Sequence, residues 1–543
     1  MSPYSIGVDF GTESGRALLL DLEGGKELAS AVVRYPSEVI DRTLPATGER
    51  LPPDWALQDP DDWVLVLEQG IPAVLSEAGV APDEVVGIGV DFTSCTVLPV
   101  TRDGEPLCKL DRWRERRHAW AKLWKHHAAQ PVADRLTEVA LERGDEFLSR
   151  YGGRISSEWY FPKLIEIWLE DREIYHAADA FIEATDWIVW WMTGTEVRQS
   201  ATAGYKALWS PVEGLPPTEY FEAAYPGFSD PAEKLGTEFV ALGTRAGMLR
   251  PEVAQRLGLP ESVAVAVVNI DAMVAVPGAG VEEPGAFVIV IGTSICDLVV
   301  SADETRLPGI TGVVKDGILP GLYGYEAGQT AVGDMLAWFV ENVAQEDGSY
   351  AELERAASVI APGETGLVAL DWFNGNRTIL ADADLTGAIF GLTLQSTREE
   401  IYRALLESIA FGSRRIMENF EEHGLELTEI VAVGGIAERS PLMMQLLADT
   451  SGRPVQVPAS GEIPARGAAL FGAVAAGHFE DIDAAVEAMR PESGRTYEPD
   501  QNAKRTYDRV YAIYRSLYDL LGRSQVELMH ELKQIRADER AQA

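Results

Sequence analysis

The sequence predicts an α/β protein made of two related halves that face each other across a cleft. Three observations carry this expectation. Near the N-terminus, Ile6-Gly7-Val8-Asp9-Phe10-Gly11-Thr12-Glu13-Ser14-Gly15-Arg16 runs into Ala17-Leu18-Leu19-Leu20-Asp21, which reads as strand, tight turn, strand. The same device is written again mid-chain, as Val288-Ile289-Val290-Ile291-Gly292-Thr293-Ser294-Ile295-Cys296-Asp297-Leu298. Between them, apolar runs end in Asp, at Gly89-Val90-Asp91-Phe92-Thr93-Ser94 and Val267-Val268-Asn269-Ile270-Asp271. Buried parallel strands look like this, and their carboxyl edge is where open α/β sheets hold ligands.

In the first hairpin, Gly11 and Gly15 allow turn conformations and close approach of backbone to a ligand. Thr12 and Ser14 add hydroxyls, and successive N–H groups in such a turn can form an anion nest. Asp9 ends the first strand, where a carboxylate can hold Mg²⁺ through water. Gly292 and Thr293 repeat the arrangement. The pair of hairpins resembles the actin, Hsp70 and sugar-kinase ATPases, in which a nucleotide phosphate chain is held between two hairpins, and a Walker-type loop is disfavoured because no Gly-x-x-x-x-Gly-Lys-[Ser/Thr] occurs.

Along the chain, a Pro-punctuated segment (36–53) leads to a helix over 61–78 and a buried strand over 85–92. Residues 110–230 are rich in helix signals and in tryptophan, which we expect as core or lid packing. His126 and His127, placed on a helix, would point apart and make no paired metal site. Lys206 stands out in a Lys-poor chain; it is either solvated or a ligand for a sugar hydroxyl or phosphate. A strand over 263–269 ends beside Asp271, which reads as a helix N-cap or as a general base at the strand's carboxyl end. The halves divide at Glu282-Glu283-Pro284, giving residues 1–284 and 285–543. In the second half we expect a Gly-rich turn at 323–329 leading to a helix through 339. A loop at 371–377, a helix over 399–424 and a strand over 429–433 follow. That strand ends in Gly434-Gly435, a backbone that approaches adenosine or simply a tight strand–helix turn. Helices follow from 441, over 464–477 and over 502–534.

Composition narrows the functional classes. A chain of 543 residues exceeds one ordinary domain, and 46% hydrophobic with 24% charged residues is a globular composition. Asp and Glu number 85 against 46 Lys and Arg, a net charge of −39 that disfavours nucleic acid and anionic membrane as partners. No long apolar run or leader is read, and three cysteines show no pairing pattern, so a cytoplasmic location is expected.

Specific runs carry a family resemblance. They are the first hairpin, Gly89-Val90-Asp91-Phe92-Thr93, Leu123-Trp124-Lys125-His126-His127-Ala128-Ala129 and Ile155-Ser156-Ser157-Glu158-Trp159. Glu183-Ala184-Thr185-Asp186-Trp187 and Ala203-Gly204-Tyr205-Lys206-Ala207 belong with them. So do Ile291-Gly292-Thr293-Ser294, Gly324-Tyr325-Glu326-Ala327-Gly328-Gln329 and Asp371-Trp372-Phe373-Asn374-Gly375-Asn376-Arg377. On these the chain resembles the FGGY carbohydrate kinases along nearly its whole length, and within them it is most similar to the L-ribulokinases. The resemblance implies two actin-like (ribonuclease H-like) ATPase domains and transfer of the ATP γ-phosphoryl to the 5-hydroxyl of L-ribulose, in L-arabinose catabolism. It implies Asp271 as the base, and Thr93, Ser94, Lys206 and Glu326 around the sugar. Gly11, Thr12, Ser14, Gly292, Thr293, Gly434 and Gly435 would meet ATP, and Asp9 would position Mg²⁺. A homodimer is allowed.

Three positions depart from the pattern. Met273 and Asp297 stand where many ribulokinases have His, and Arg439-Ser440-Pro441 looks more like the wider family. A carboxylate at 297 would be unfavourable beside phosphates unless it faces away or meets a cation. The competing readings are a xylulokinase- or glycerol kinase-like enzyme for another ketopentose or polyol, and a non-catalytic sugar-sensing ATPase-fold protein.

Overall fold

The computed structural model describes residues 3–228, 232–344 and 349–542. Its first sheet contains β1 Tyr4–Phe10, β2 Ser14–Asp21, β3 Glu27–Arg34, β4 Val85–Phe92, β5 Arg245–Met248 and β6 Ala264–Ala266, in spatial order β3-β2-β1-β4-β6-β5. The second contains β7 Ala286–Ile291, β8 Ile295–Ser301, β9 Gly312–Lys315, β10 Tyr323–Gln329, β11 Glu429–Val433, β12 Val455–Val457 and β13 Arg495–Tyr497, in order β9-β10-β8-β7-β11-β12-β13. The strand series β3-β2-β1-β4-β6 and β10-β8-β7-β11-β12 match in order and direction: an antiparallel three-strand meander, then two parallel strands. The duplicated hairpin of the sequence is thus the visible part of a duplicated sheet.

The helices that position the site are α1 Pro60–Ala78, α2 Ser200–Lys206, α3 Asp271–Gly278, α4 Arg398–Glu422, α5 Ile463–Ala476, α6 Gln501–Asp519 and α7 Glu527–Gln542. Asp59 caps α1 by accepting from the Asp61 N–H, and Gly79 ends it in the left-handed conformation. Its buried face, with Trp63, Val66, Leu67, Ile71 and Val74, closes one core with Ile6, Val8 and Phe10. On the second sheet, α4 closes the corresponding core against Phe287, Ile289 and Ile291.

Between the two sheets, α3 and α5 form an inner layer whose core draws from both halves of the chain, including Val268, Ile270, Val288, Leu298, Val431, Ala468 and Phe471. Although α5 comes late in the chain, it lies directly on the first sheet. Side chains at Gly7, Gly87 and Gly89 would overlap the carbonyls of Ala465, Gly472 and Ala468. At these contacts backbone meets backbone, so no flexible side chain can give way. We expect Gly89→Ala to lower the urea midpoint by the equivalent of about 1–3 kcal/mol or more. A mutant with the wild-type midpoint would show that α5 is not seated there.

The structure departs from the sequence expectation in four places. Residues 323–329 form the strand β10 and not a turn, because their backbone pairs with both β8 and β9. The strand over 263–269 contracts to Ala264–Ala266. The C-terminal helix breaks into α6 and α7 at Leu520–Ser524, where Gly522 packs on Trp372 and Leu380. His126 and His127 lie in a turn and not on a helix.

Candidate active site

Strand register creates the first cluster. β1 and β4 run parallel with Asp9 opposite Asp91, and on its other side Asp9 faces Arg16 of β2. The Arg16 guanidinium reaches Asp9 at 3.3 Å and Glu462 at 3.5 Å. Burial pushes both Asp9 and Asp91 above the ordinary carboxylate range; Arg16 opposes this at Asp9, while the Asp9 charge adds to it at Asp91. The two carboxyls stand on neighbouring strands in register, and neither Asp91 oxygen has a hydrogen-bond partner. Two adjoining oxygen donors of this kind fit a hard divalent cation. Among the described residues no group of three or more metal-ligating side chains occurs, so such an ion would complete its shell with water and phosphate oxygens.

Asp271 follows in the same sheet edge. It is the first residue of α3, with Ile270 as the cap position, so the N-cap reading is replaced by a neighbouring one: its Oδ1 accepts from the Ala272 N–H at 2.6 Å. Its carboxyl is lifted to about 7, by burial first and then by the Asp9 charge, against the pull of the Ala272 N–H and Lys206. A carboxylate poised near neutrality is what proton abstraction from a hydroxyl needs.

Lys206, at the end of α2, crosses the cleft to Glu326 on β10, with Nζ 3.0 and 2.7 Å from the two carboxylate oxygens. Both are buried, and Glu326 raises the Lys206 pKa against the cost of burial. Thr93 donates its N–H to Phe10 and shares a 3.1 Å hydroxyl contact with Thr96, in the turn that also holds Ser94.

Each half contributes its hairpin turn to the cleft. In the first, the Gly11 N–H donates to the Ser14 carbonyl; in the second, the Gly292 N–H donates to the Ser294 carbonyl. Thr12 is braced from both sides, its Oγ1 accepting from the Trp124 indole at 3.1 Å and its carbonyl from Gln58 at 2.8 Å. Thr293 is held through its carbonyl, which accepts from the N–H groups of Val332 and Gly333. Gly434 and Gly435 follow β11 beside this hairpin. Gly434 has φ of 94°, and a Cβ there would stand 2.7 Å from the Ile291 carbonyl, so the tight turn itself requires glycine. That turn is what brings this backbone next to Gly292.

Residues that the sequence did not single out complete the cleft. A cavity of about 780 Å³ opens between the halves, where Thr293 of the second hairpin is joined by Trp124, His127, Glu158, Asn376 and Arg377. Arg377 reaches Glu158 across it at 3.6 Å. Burial alone would raise the Glu158 pKa, but Arg377, then His127 and Lys206, hold it below its ordinary value. His127 lines the cavity with its Nδ1 3.3 Å from Ser157 Oγ, whereas its neighbour is tied down elsewhere: His126 Nε2 and Lys122 Nζ meet Glu166 at 2.9 and 3.0 Å. Burial, then Lys122, pushes His126 down to about 3, leaving it neutral at pH 7. The signal for these residues was present, since each lies in a run that carries the family resemblance.

Two of the three departures find a place. Asp297 shares a sheet face with Ile295 and Val299, which pack in the core under α4, so its carboxyl faces away from the cleft; burial raises its pKa well above the carboxylate range. Met273 is buried in the inner helical layer.

Two duplicated sheets, each offering a glycine-cornered hairpin to a shared cleft that also holds strand-end carboxylates, make a phosphotransferase architecture. The chain matches the N-terminal domain of the FGGY family of carbohydrate kinases over residues 4–278 and the C-terminal domain over residues 287–476, and it belongs to that family. It is a carbohydrate kinase. Within the family its relatives include the ribulokinase of Anoxybacillus flavithermus, 48% identical over 99% of this chain and 98% of the relative. The ribulokinase of Mycolicibacterium smegmatis is 44% identical over 98% of this chain and 97% of the relative. Among solved structures, xylulose kinase from Rhodospirillum rubrum has a TM-score of 0.78 at 25% identity, covering 97% of this chain and all of that one (100%). Gluconate kinase from Lactobacillus acidophilus has a TM-score of 0.80 at 17% identity, with 97% and 100% covered, a likeness of fold alone.

Proposed function

We propose that this protein transfers the γ-phosphoryl group of ATP to the 5-hydroxyl of L-ribulose, giving L-ribulose 5-phosphate. The observation that carries the reading is the identity of 44–48% with ribulokinases over nearly the full length of both chains. In this reading Asp271 takes the hydroxyl proton while Lys206 and Glu326, with the Thr93-Ser94 turn, hold the sugar. Gly11, Thr12, Ser14, Gly292 and Thr293 flank the phosphates, and Gly434-Gly435 back the adenosine. Asp9, with Asp91 beside it, would hold Mg²⁺, which when bound neutralises charge on the phosphates. The halves are taken as residues 1–284 and 285–543. A cytoplasmic location and a homodimer belong to the same proposal; no helix among the described residues is long and apolar enough to cross a membrane. Closure of the cleft over both substrates would exclude water and suppress ATP hydrolysis.

An ADP-release assay across L-ribulose, D-ribulose, D-xylulose, L-arabinose and glycerol tests the assignment. The highest kcat/KM is expected for L-ribulose; a preference for D-xylulose or glycerol would move the protein to those branches, and no turnover of any sugar would favour a sensor. The pH profile tests the base. Asp271 acts only when ionised, so kcat/KM for the sugar should rise with pH through about 7 and level off above it. Of the charged neighbours, Asp9 raises it most. A profile flat from pH 5 to 8 would remove Asp271 as base.

A further inference from the structure

A second feature joins the halves beside the cleft, and neither the family match nor the relatives' names assign it a role. All seven residues of α2 are buried, and its last two side chains both enter the second half. Lys206 meets Glu326, as described. Tyr205, fully buried, lies flat against a wall made by glycine. A Cβ on Gly312 would come 2.8 Å from its Cδ1, one on Gly317 2.8 Å from its Cε2, and one on Gly324 2.5 Å from its hydroxyl oxygen. Gly204 is pressed equally closely to Val314.

Strand geometry explains why this wall and Glu326 go together. Gly324 and Glu326 are two apart on β10 and therefore share a face. On the neighbouring strand Gly312 stands opposite Glu326 and Val314 opposite Gly324. The tyrosine ring thus occupies the area directly beside the carboxylate that its neighbour Lys206 grips. The wall is tied to Asp271 as well. Asn269, two residues before it, donates from its side-chain amide to the Gly317 carbonyl at 2.7 Å and accepts from the Ile270 N–H at 2.8 Å.

The Tyr205 hydroxyl has no hydrogen-bond partner. Burying a hydroxyl unpaired is costly, so its retention is not explained by bonding, and what the site uses is the ring. A flat six-membered ring is the shape that three side-chain-free positions accept; an aliphatic residue would leave part of the slot empty and let α2 shift or rotate.

We propose that Tyr205 is a positioning residue for the sugar site: its ring, seated in the Gly312–Gly317–Gly324 socket, sets where Lys206 and the Asp271 segment stand relative to Glu326. It touches neither substrate and acts through its neighbours. The proposal rests on the reading that Lys206 and Glu326 hold the sugar, and its test separates the two.

Steady-state kinetics on Tyr205→Phe, Tyr205→Leu, Gly324→Ala and the double variant Tyr205→Phe/Gly324→Ala decide it, with the ketose that the wild-type protein phosphorylates best as substrate. Tyr205→Phe should keep both KM values and kcat within about twofold, since it loses only an unused hydroxyl. Tyr205→Leu should raise the sugar KM and lower kcat, together reducing kcat/KM by roughly ten- to a hundredfold as misplacement of groups near the reacting centre does, with the ATP KM unchanged. Gly324→Ala should be impaired in the same parameters, and Tyr205→Phe should recover part of that loss by removing the oxygen that the new Cβ meets. Recovery is partial because the Cβ also approaches Ile318 at 2.6 Å. A wild-type sugar KM and kcat in Tyr205→Leu would overturn the proposal. So would equal and additive losses for Gly324→Ala in the Tyr and Phe backgrounds, and this pair decides the matter if Tyr205→Leu does not fold. A loss confined to the ATP KM would show instead that Lys206 and Glu326 do not serve the sugar.

Discussion

Asp271→Asn is expected to lower kcat by about two orders of magnitude or more, the usual contribution of a positioned general base. The substitution keeps shape and keeps an oxygen able to accept from the Ala272 N–H, so α3 retains its first-turn contact. What it removes is the group that accepts the proton. It also removes a charge whose ionisation is opposed by burial and by Asp9, so the variant should melt no lower than wild type at pH 8, where wild-type Asp271 is ionised. ATP binding, measured by calorimetry, should be preserved or strengthened, because one negative charge leaves the cleft. Activity and stability therefore move in opposite directions, a combination that a purely structural Asp would not give. Near-normal turnover with a lowered melting temperature would leave Asp271 only its contact with the first turn of α3.

Much of this site was readable before any fold was known, and physical reasons divide what was readable from what was not. Asp9 and Asp271 announce themselves because a carboxylate at the end of an apolar run has a local signature, and strand register then needs only the parallel pairing of β1 with β4 to bring Asp91 to Asp9. The duplication was equally visible, since Gly-Thr after an apolar run, with a Ser close behind, recurs at matching places in the two sheets. Long-range pairings leave no such mark. Nothing in the neighbourhood of Arg377 says that it faces Glu158, and Lys206 could be marked as unusual without its partner's distance being known. The misreading of residues 323–329 has the same origin. Gly324 and Gly328 look like turn residues, yet their lack of side chains serves tertiary contacts: one clears space for Tyr205 and the other for the Ile295 carbonyl. Asp297 shows the converse, a residue whose risk depended on which sheet face it takes, and alternation along β8 sends it to the core side with Ile295 and Val299.

Lys206→Ala is expected to abolish measurable sugar saturation while leaving the ATP KM nearly unchanged. Lys206 and Glu326 are the only side chains proposed to grip the sugar from both halves at once, and each is oriented by the other through two short contacts. Removing the ammonium leaves Glu326 buried with its charge uncompensated, a loss worth about 3–5 kcal/mol where such pairs have been broken. The double variant Lys206→Met/Glu326→Gln removes the charge imbalance together with the pair, because both new side chains are neutral and of similar length. It should recover most of the lost stability, since a buried ion pair is often replaceable without net cost. It should recover none of the sugar kcat/KM. Chemical denaturation and kinetics on the wild type, Lys206→Met, Glu326→Gln and the double variant provide the four corners of the cycle. Recovery of sugar turnover in the neutral double variant would mean that the pair only joins the two halves and that the sugar is bound elsewhere in the cleft. A collapse of ATP affinity with sugar affinity intact would place the pair on the nucleotide side.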